Sequence, residues 1–291
     1  MKEIRQQEFF GERPLYATKD ARIIDCMFGE GESPLKESGN IEVEGCTFGW
    51  KYPLWYCNNV KVDNCTWLEM GRSGVWYTRN ISVNNSLLHA PKNFRRCDGV
   101  MLTDVVFNDA KETFWSCKNV KLKNVTAKGD YFAMNSENLD IDGLVLDGNY
   151  FLDGAKNAVV RNSKLISKDA FWNCENITVY DSYISGEYLG WNSKNVQFIN
   201  CTIESDQGMC YIDDLVLENC KLVNTTLAFE YSNVDADVTT SIDSVFNPYS
   251  GRISAPMIDE LIVENDKVDP AKTQIDCGQI RKVSERPEWL R

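Results

Sequence analysis

The stretch Asn176-Ile177-Thr178-Val179-Tyr180-Asp181-Ser182-Tyr183-Ile184 decides the fold of this chain. Ile177 and Val179 are apolar with a polar residue between them, the period-2 signature of a strand with one buried face. Asn176 and Asp181 belong to the few residue types that tolerate a left-handed backbone, so each marks a sharp bend. Working outward, the pattern reads Asn-Φ-x-Φ-x-(Asn/Asp/Gly)-small-x-Φ, with Φ apolar. It begins again at Asn40, Asn59, Asn80, Gly99, Asn119, Asn138, Asn157, Asn195 and Asp214, at spacings of 19 to 21 residues. Two short strands, a third expected through positions 14–18 of the repeat, and three bends make one coil of a parallel β-helix. A helical repeat would need a 3.6-residue apolar period, which is absent.

Identical positions in neighbouring coils stack about 4.8 Å apart, so every inward column is filled by like residues. Position 7 reads Cys46, Cys65, Ser86, Val105, Val125, Leu144, Ser163, Ser182, Cys201 and Cys220; position 18 includes Cys57, Cys97, Cys117 and Cys174. Cysteine behaves as a small hydrophobe, so these thiols read as packing beside tight corners. The asparagines of position 1 read as a hydrogen-bonded side-chain ladder. At least ten regular coils cover residues 21–234, while residues 1–20 depart from the register and read as an N-terminal cap and 235–291 as irregular last coils and a C-terminal cap. All of it forms one domain, 1–291, because solenoid ends need covering and no linker interrupts the chain.

Composition bounds the function. The chain has 291 residues, 43 acidic and 31 basic, for a net charge of −12. That argues against nucleic acid and membrane partners, which reward a surplus of Lys and Arg. The single histidine, His89, excludes multi-His metal sites, and the 11 cysteines form no CxxC pair, so neither metal nor cofactor is expected. Free thiols and the absence of an apolar leader point to a reducing cytoplasm.

Chemistry is expected where the repeat is over-elaborated, between positions 10 and 18. Position 12 reads Asp130, Asn149, Lys168, Glu187 and Asp206 in successive coils. Stacking puts Glu187 and Asp206 about 5 Å apart, near the carboxyl separation of a retaining glycosidase. Two carboxylates so close raise one pKa towards a general acid, with Asp169 beside them and Lys168 one coil below. These four are the catalytic candidates; a solvated loop of mixed charge is the plainer reading. Tyr131, Tyr150 and Tyr188 at position 13 are expected exposed, for stacking on sugar rings, with Trp191, Asn192, Asp130 and Asp153 nearby. Positions 15 (Leu54, Phe94, Leu152, Phe171) and 16 (Trp55, Trp172, Trp191) are both apolar, so one faces in and the other out; the sequence leaves open which. Arg72, Arg95 and Arg96 form a cationic cluster, either a clamp for an anionic ligand or counter-ions to nearby carboxylates.

The coil pattern resembles the pectate-lyase-like right-handed parallel β-helices over residues 21–234. That resemblance implies an all-β, single-stranded, right-handed solenoid and, by analogy only, a polysaccharide substrate. The specific signatures of those enzymes are missing: Asp213-Asp214 falls at a repeat corner, and no Gly-His-Gly or Arg-Ile-Lys accompanies it. The segments Gly11-Glu12-Arg13-Pro14-Leu15, Gly31-Glu32-Ser33-Pro34-Leu35-Lys36-Glu37-Ser38, Lys168–Asn173 and Gly186–Asn192 are more similar to a bacterial family of single-domain β-helices that carries no assigned activity. Three functions stay open: a hydrolase or lyase of oligosaccharides, a non-catalytic carbohydrate- or ligand-binding solenoid, and a scaffold whose aromatic face is a homo-oligomer contact.

Overall fold

The structure, a computed structural model, describes residues 1–286. It is an all-β parallel solenoid of about 15 turns, with a single 3-10 turn at Pro270–Lys272 and no α-helix among the described residues. The chain is described as two compact units, Met1–Gly148 and Asn149 onward. In the first, the leading strands of successive coils are Lys2–Arg5, Lys19–Ile24, Gly39–Glu44, Asn58–Asp63, Arg79–Asn84, Asp98–Phe107, Lys118–Lys128 and Glu137–Asp147. In the second they are Lys156–Arg161, Glu175–Tyr180, Lys194–Ile199, Asp213–Leu222, Asn233–Val238, Ser250–Ile262 and Thr273–Ser284.

Within each unit the leading strands pair in parallel from one coil to the next. Ile177 faces Val196, which faces Leu215, and all three are buried. The bends sit where the sequence places them: Asn176 and Asp181 have φ of 60° and 47°. Asn195 Nδ2 donates to Asn176 Oδ1 at 2.9 Å, and Asn176 Nδ2 to Asn157 Oδ1 at 2.9 Å. This satisfies polar groups at a bend that has no strand partner. The cysteine columns point inward: Cys26 N donates to Cys46 Sγ, and Cys46 N to Cys65 Sγ, both at 3.3 Å. Every cysteine but Cys277 is buried, and all are free. Burial drives the thiols of Cys57 and Cys201 up to about 12, so these two stay protonated and unreactive.

The third side of the coil differs from expectation. It is no strand but a run of turn residues with alternating left-handed backbone, as in Asp169 (φ 55°), Phe171 (φ 62°) and Asn173 (φ 53°). Successive N–H groups consequently bond in opposite directions along the stack. Asp169 N donates to Glu187 O in the coil above, Phe171 N to Phe151 O in the coil below, and Asn173 N to Trp191 O above again, at 2.8 to 2.9 Å. Left-handed geometry is costly for residues with a Cβ; satisfying both neighbouring coils is what offsets it here.

The stack extends beyond residues 21–234 at both ends. Residues 1–20 form a coil in register with the next, Lys2 facing Ala21 and Ile4 facing Ile23. They read as a cap only because Met1 and Gln6 replace the usual corner residues. Beyond residue 234 the strands still pair, Val234 with Gly251 and Gly251 with Thr273. Those coils are shorter and longer than the repeat, which hides them from a fixed period. Residues 287–291 of the expected C-terminal cap lie outside the described residues.

Candidate ligand-binding face

The turn side of the second unit carries the candidate residues. Position 15 is interior: Leu152 and Phe171 are fully buried, and Phe171 packs edge-to-face with Phe151 and Phe198 at 5.6 and 5.8 Å. Position 16 faces outward, and Trp172 and Trp191 are half-buried there. They form the centre of an aromatic row. Ring centroids run from Tyr150 to Trp172 (5.9 Å), Trp191 (6.0 Å), Tyr211 (4.3 Å) and Tyr231 (5.2 Å). Trp172 is fixed by its indole N–H, which donates to Tyr188 O at 2.7 Å. The last three contacts are tilted by 35° to 48°, so the rings do not fully cover one another's faces.

Polar groups border the row on both sides. On one, Asn192 Nδ2 donates to Asn173 Oδ1 at 2.9 Å and Asn173 Nδ2 to Asp153 Oδ1 at 3.0 Å. Each amide nitrogen carries a second hydrogen beyond its ladder bond. On the other lies position 12, where Lys168 Nζ pairs with Glu187 Oε2 at 2.7 Å and sits 5.5 Å over the Tyr188 ring.

Glu187 and Asp206 are register partners on paired strands, as the repeat predicts. Their carboxylates nonetheless turn to opposite neighbours. Glu187 reaches back to Lys168, while Asp206 accepts from the Thr226 hydroxyl one coil further on. Both residues are exposed.

Asp169 is the carboxyl that burial does perturb. It is 4% exposed, and desolvation holds its pKa above the usual carboxylate range, opposed by a hydrogen bond from Tyr150 and the charge of Lys168. A second buried carboxyl, Glu230, escaped the sequence reading because Phe229-Glu230-Tyr231 lies where the coil departs from the repeat. It accepts from the Gln207 side-chain amide, and burial raises its pKa as well. The burial of Tyr211, and then the charge of Glu230, push its hydroxyl to about 12, which keeps that ring neutral.

The first unit holds the remaining candidates. Asp130 and Tyr131 are partly exposed near its last turns. Arg95 is sandwiched between Trp76 and Trp115, at 4.7 and 4.5 Å, and pairs with Glu112 at 3.0 Å; Arg72 and Arg96 are exposed. Arg95 therefore serves as the counter-ion of Glu112, the alternative reading of the cluster, and fills the tryptophan column. In this unit the rings stack flat: Trp55 on Trp76 at 4.9 Å and 7°, Tyr56 on Tyr77 at 4.8 Å and 8°. Flat stacking covers the ring faces and leaves edges to solvent. His89 Nδ1 meets Asn108 Nδ2 at 2.8 Å.

A family profile matches residues 2–276. The chain belongs to the family described as a protein of unknown function, DUF3737. No curated protein matches this DUF3737 chain in sequence. Among solved structures it is similar to the surface adhesin PfbA of Streptococcus pneumoniae (TM-score 0.46, 11% identity, 90% of this chain and 85% of that chain). It is also similar to a tailspike protein of E. coli bacteriophage HK620 in complex with a pentasaccharide (TM-score 0.40, 9% identity, 91% of this chain and 67% of that chain). A third is the mannuronan C-5 epimerase AlgE4 A-module of Azotobacter vinelandii (TM-score 0.27, 11% identity, 98% and 88%). These similarities assign no activity to the DUF3737 chain.

Proposed function

We propose that the turn side of the second unit binds a carbohydrate chain lying along the solenoid axis. The observation that carries this is the row Tyr150, Trp172, Trp191, Tyr211 and Tyr231, bordered by hydrogen-bonding groups on both flanks. A pyranose has an apolar face of C–H bonds and a polar rim of hydroxyls. Tilted ring faces match the first; the Asn173–Asn192 amides and the Lys168, Glu187 and Asp206 side chains match the second. The row takes one ring from each successive coil, so the surface extends along the stack as a polymer does.

A second reading, hydrolysis or lyase chemistry, is favoured by Asp169. A buried carboxyl with a raised pKa, held by a tyrosine hydroxyl beside such a row, has the character of a general acid. One screen separates the two. Neutral and uronic-acid oligosaccharides are titrated calorimetrically, and each mixture is then analysed for products. Saturable heat with no products supports the binding reading. Products formed by the wild type and lost in Asp169→Asn would replace it with the catalytic one. Absence of binding to every oligosaccharide would remove both.

A further inference from the structure

The strand Thr273–Ser284 offers a self-complementary edge. It pairs along one side with Ser250–Ile262, in register over ten residue pairs from Gly251–Thr273 to Ile262–Ser284. Among the described residues no segment pairs with its other side. Inward side chains of this coil are open as a result. Ile280 is 36% exposed where its register partner Ile258 is fully buried, and Cys277 and Ile275 are likewise only partly covered. A 12-residue strand with unpaired N–H and C=O groups beside apolar side chains is a template for further strand addition.

We propose that a second copy of this chain occupies this edge, the two strands running antiparallel about a twofold axis between Gly278 and Gln279. The sequence selects the partner. In that register Asp276 of one copy faces Arg281 of the other, twice. Within one chain Asp276 already pairs with Arg252 at 2.8 Å, and Arg281 with Asp259 at 2.9 Å. The joined surface therefore carries a row of alternating charge: Arg252 and Asp276 from one copy, then Arg281 and Asp259 from the second. Beneath it, Cys277 of one copy faces Ile280 of the other, both on the inward side. Gly278 and Gln279 lie at the axis, where the inward positions change from odd (Ile275, Cys277) to even (Ile280), so the bend of one strand coincides with the bend of its mate. Such isologous pairing closes after two copies and covers both open ends at once. This inference does not depend on the carbohydrate-binding reading, whose residues lie on other coils.

Sedimentation velocity of the full chain from about 1 to 100 µM, with circular dichroism of every variant, tests the association. The expected result is a reversible dimer for the wild type, weakened about tenfold or more by Arg281→Glu, which sets like charges opposite one another. The double variant Asp276→Arg/Arg281→Asp should restore it. Cross-linking tests the register. In Ile280→Cys, mild oxidation should join Cys277 of one copy to position 280 of the other, because directly opposed residues in such a pair lie within disulfide reach. Ile280→Cys/Cys277→Ser should not cross-link. A wild type that stays monomeric at 100 µM would overturn the proposal. So would a monomer that dimerises only after removal of residues 287–291, which would give the edge to the chain's own terminus, and so would a dimer in which Ile280→Cys fails to cross-link.

Discussion

Phe171→Ala is expected to cost the second unit about 3–5 kcal/mol, the range for emptying an aromatic site in a packed interior. Phe171 is fully buried between Phe151 and Phe198. Its neighbours are held by coil-to-coil hydrogen bonds on both sides, Phe171 N to Phe151 O among them at 2.8 Å. They cannot close the space without breaking that register. In a solenoid each coil is stabilised by the coils next to it, so the loss at one coil is felt by both neighbours. Urea unfolding checks the number, and Trp172→Ala is the internal control. Trp172 is adjacent in sequence and similar in size but half-buried, and its removal should cost clearly less. Equal losses would contradict the assignment of position 15 to the interior and position 16 to the surface.

Gly251→Val, near the start of the strand Ser250–Ile262, should cost about 3 kcal/mol or more from combined strain and overpacking. Gly251 has φ of 113°, outside the range of residues with a side chain, and a Cβ placed there would lie 2.0 Å from Val234 O. That carbonyl belongs to the neighbouring coil, paired with this one from Asn233–Ser250 to Asp237–Ser254. Relief therefore requires the strands to separate. Thermal unfolding with limited proteolysis after residue 234 checks it; a variant as stable as the wild type would contradict the pairing of these coils.

Much of this architecture is legible in the sequence because a solenoid repeats its constraints. Asn176, Asn195 and their equivalents recur because each corner needs left-handed backbone, and Cys46, Cys65 and Cys201 recur because each corner leaves room for only a small inward side chain. What resists reading is whatever a single coil decides for itself. The choice between positions 15 and 16 depends on a backbone that alternates left-handed residues through Asp169, Phe171 and Asn173, and no period distinguishes that run from a strand. The directions of Glu187 and Asp206 depend on partners, Lys168 and Thr226, whose reach the register does not specify. Glu230 is hidden for a related reason: its coil is irregular, so its burial has no column to announce it.

The central claim is that the outward rings of the second unit bind carbohydrate, and affinity measured on a single ring substitution tests it most directly. For an oligosaccharide bound by the wild type, Trp191→Ala is predicted to lower affinity about tenfold or more, since truncating a central aromatic anchor costs more than about 1 kcal/mol. Trp115→Ala, in the first unit, should leave it unchanged. Undiminished affinity in Trp191→Ala, with the variant folded, would contradict the account.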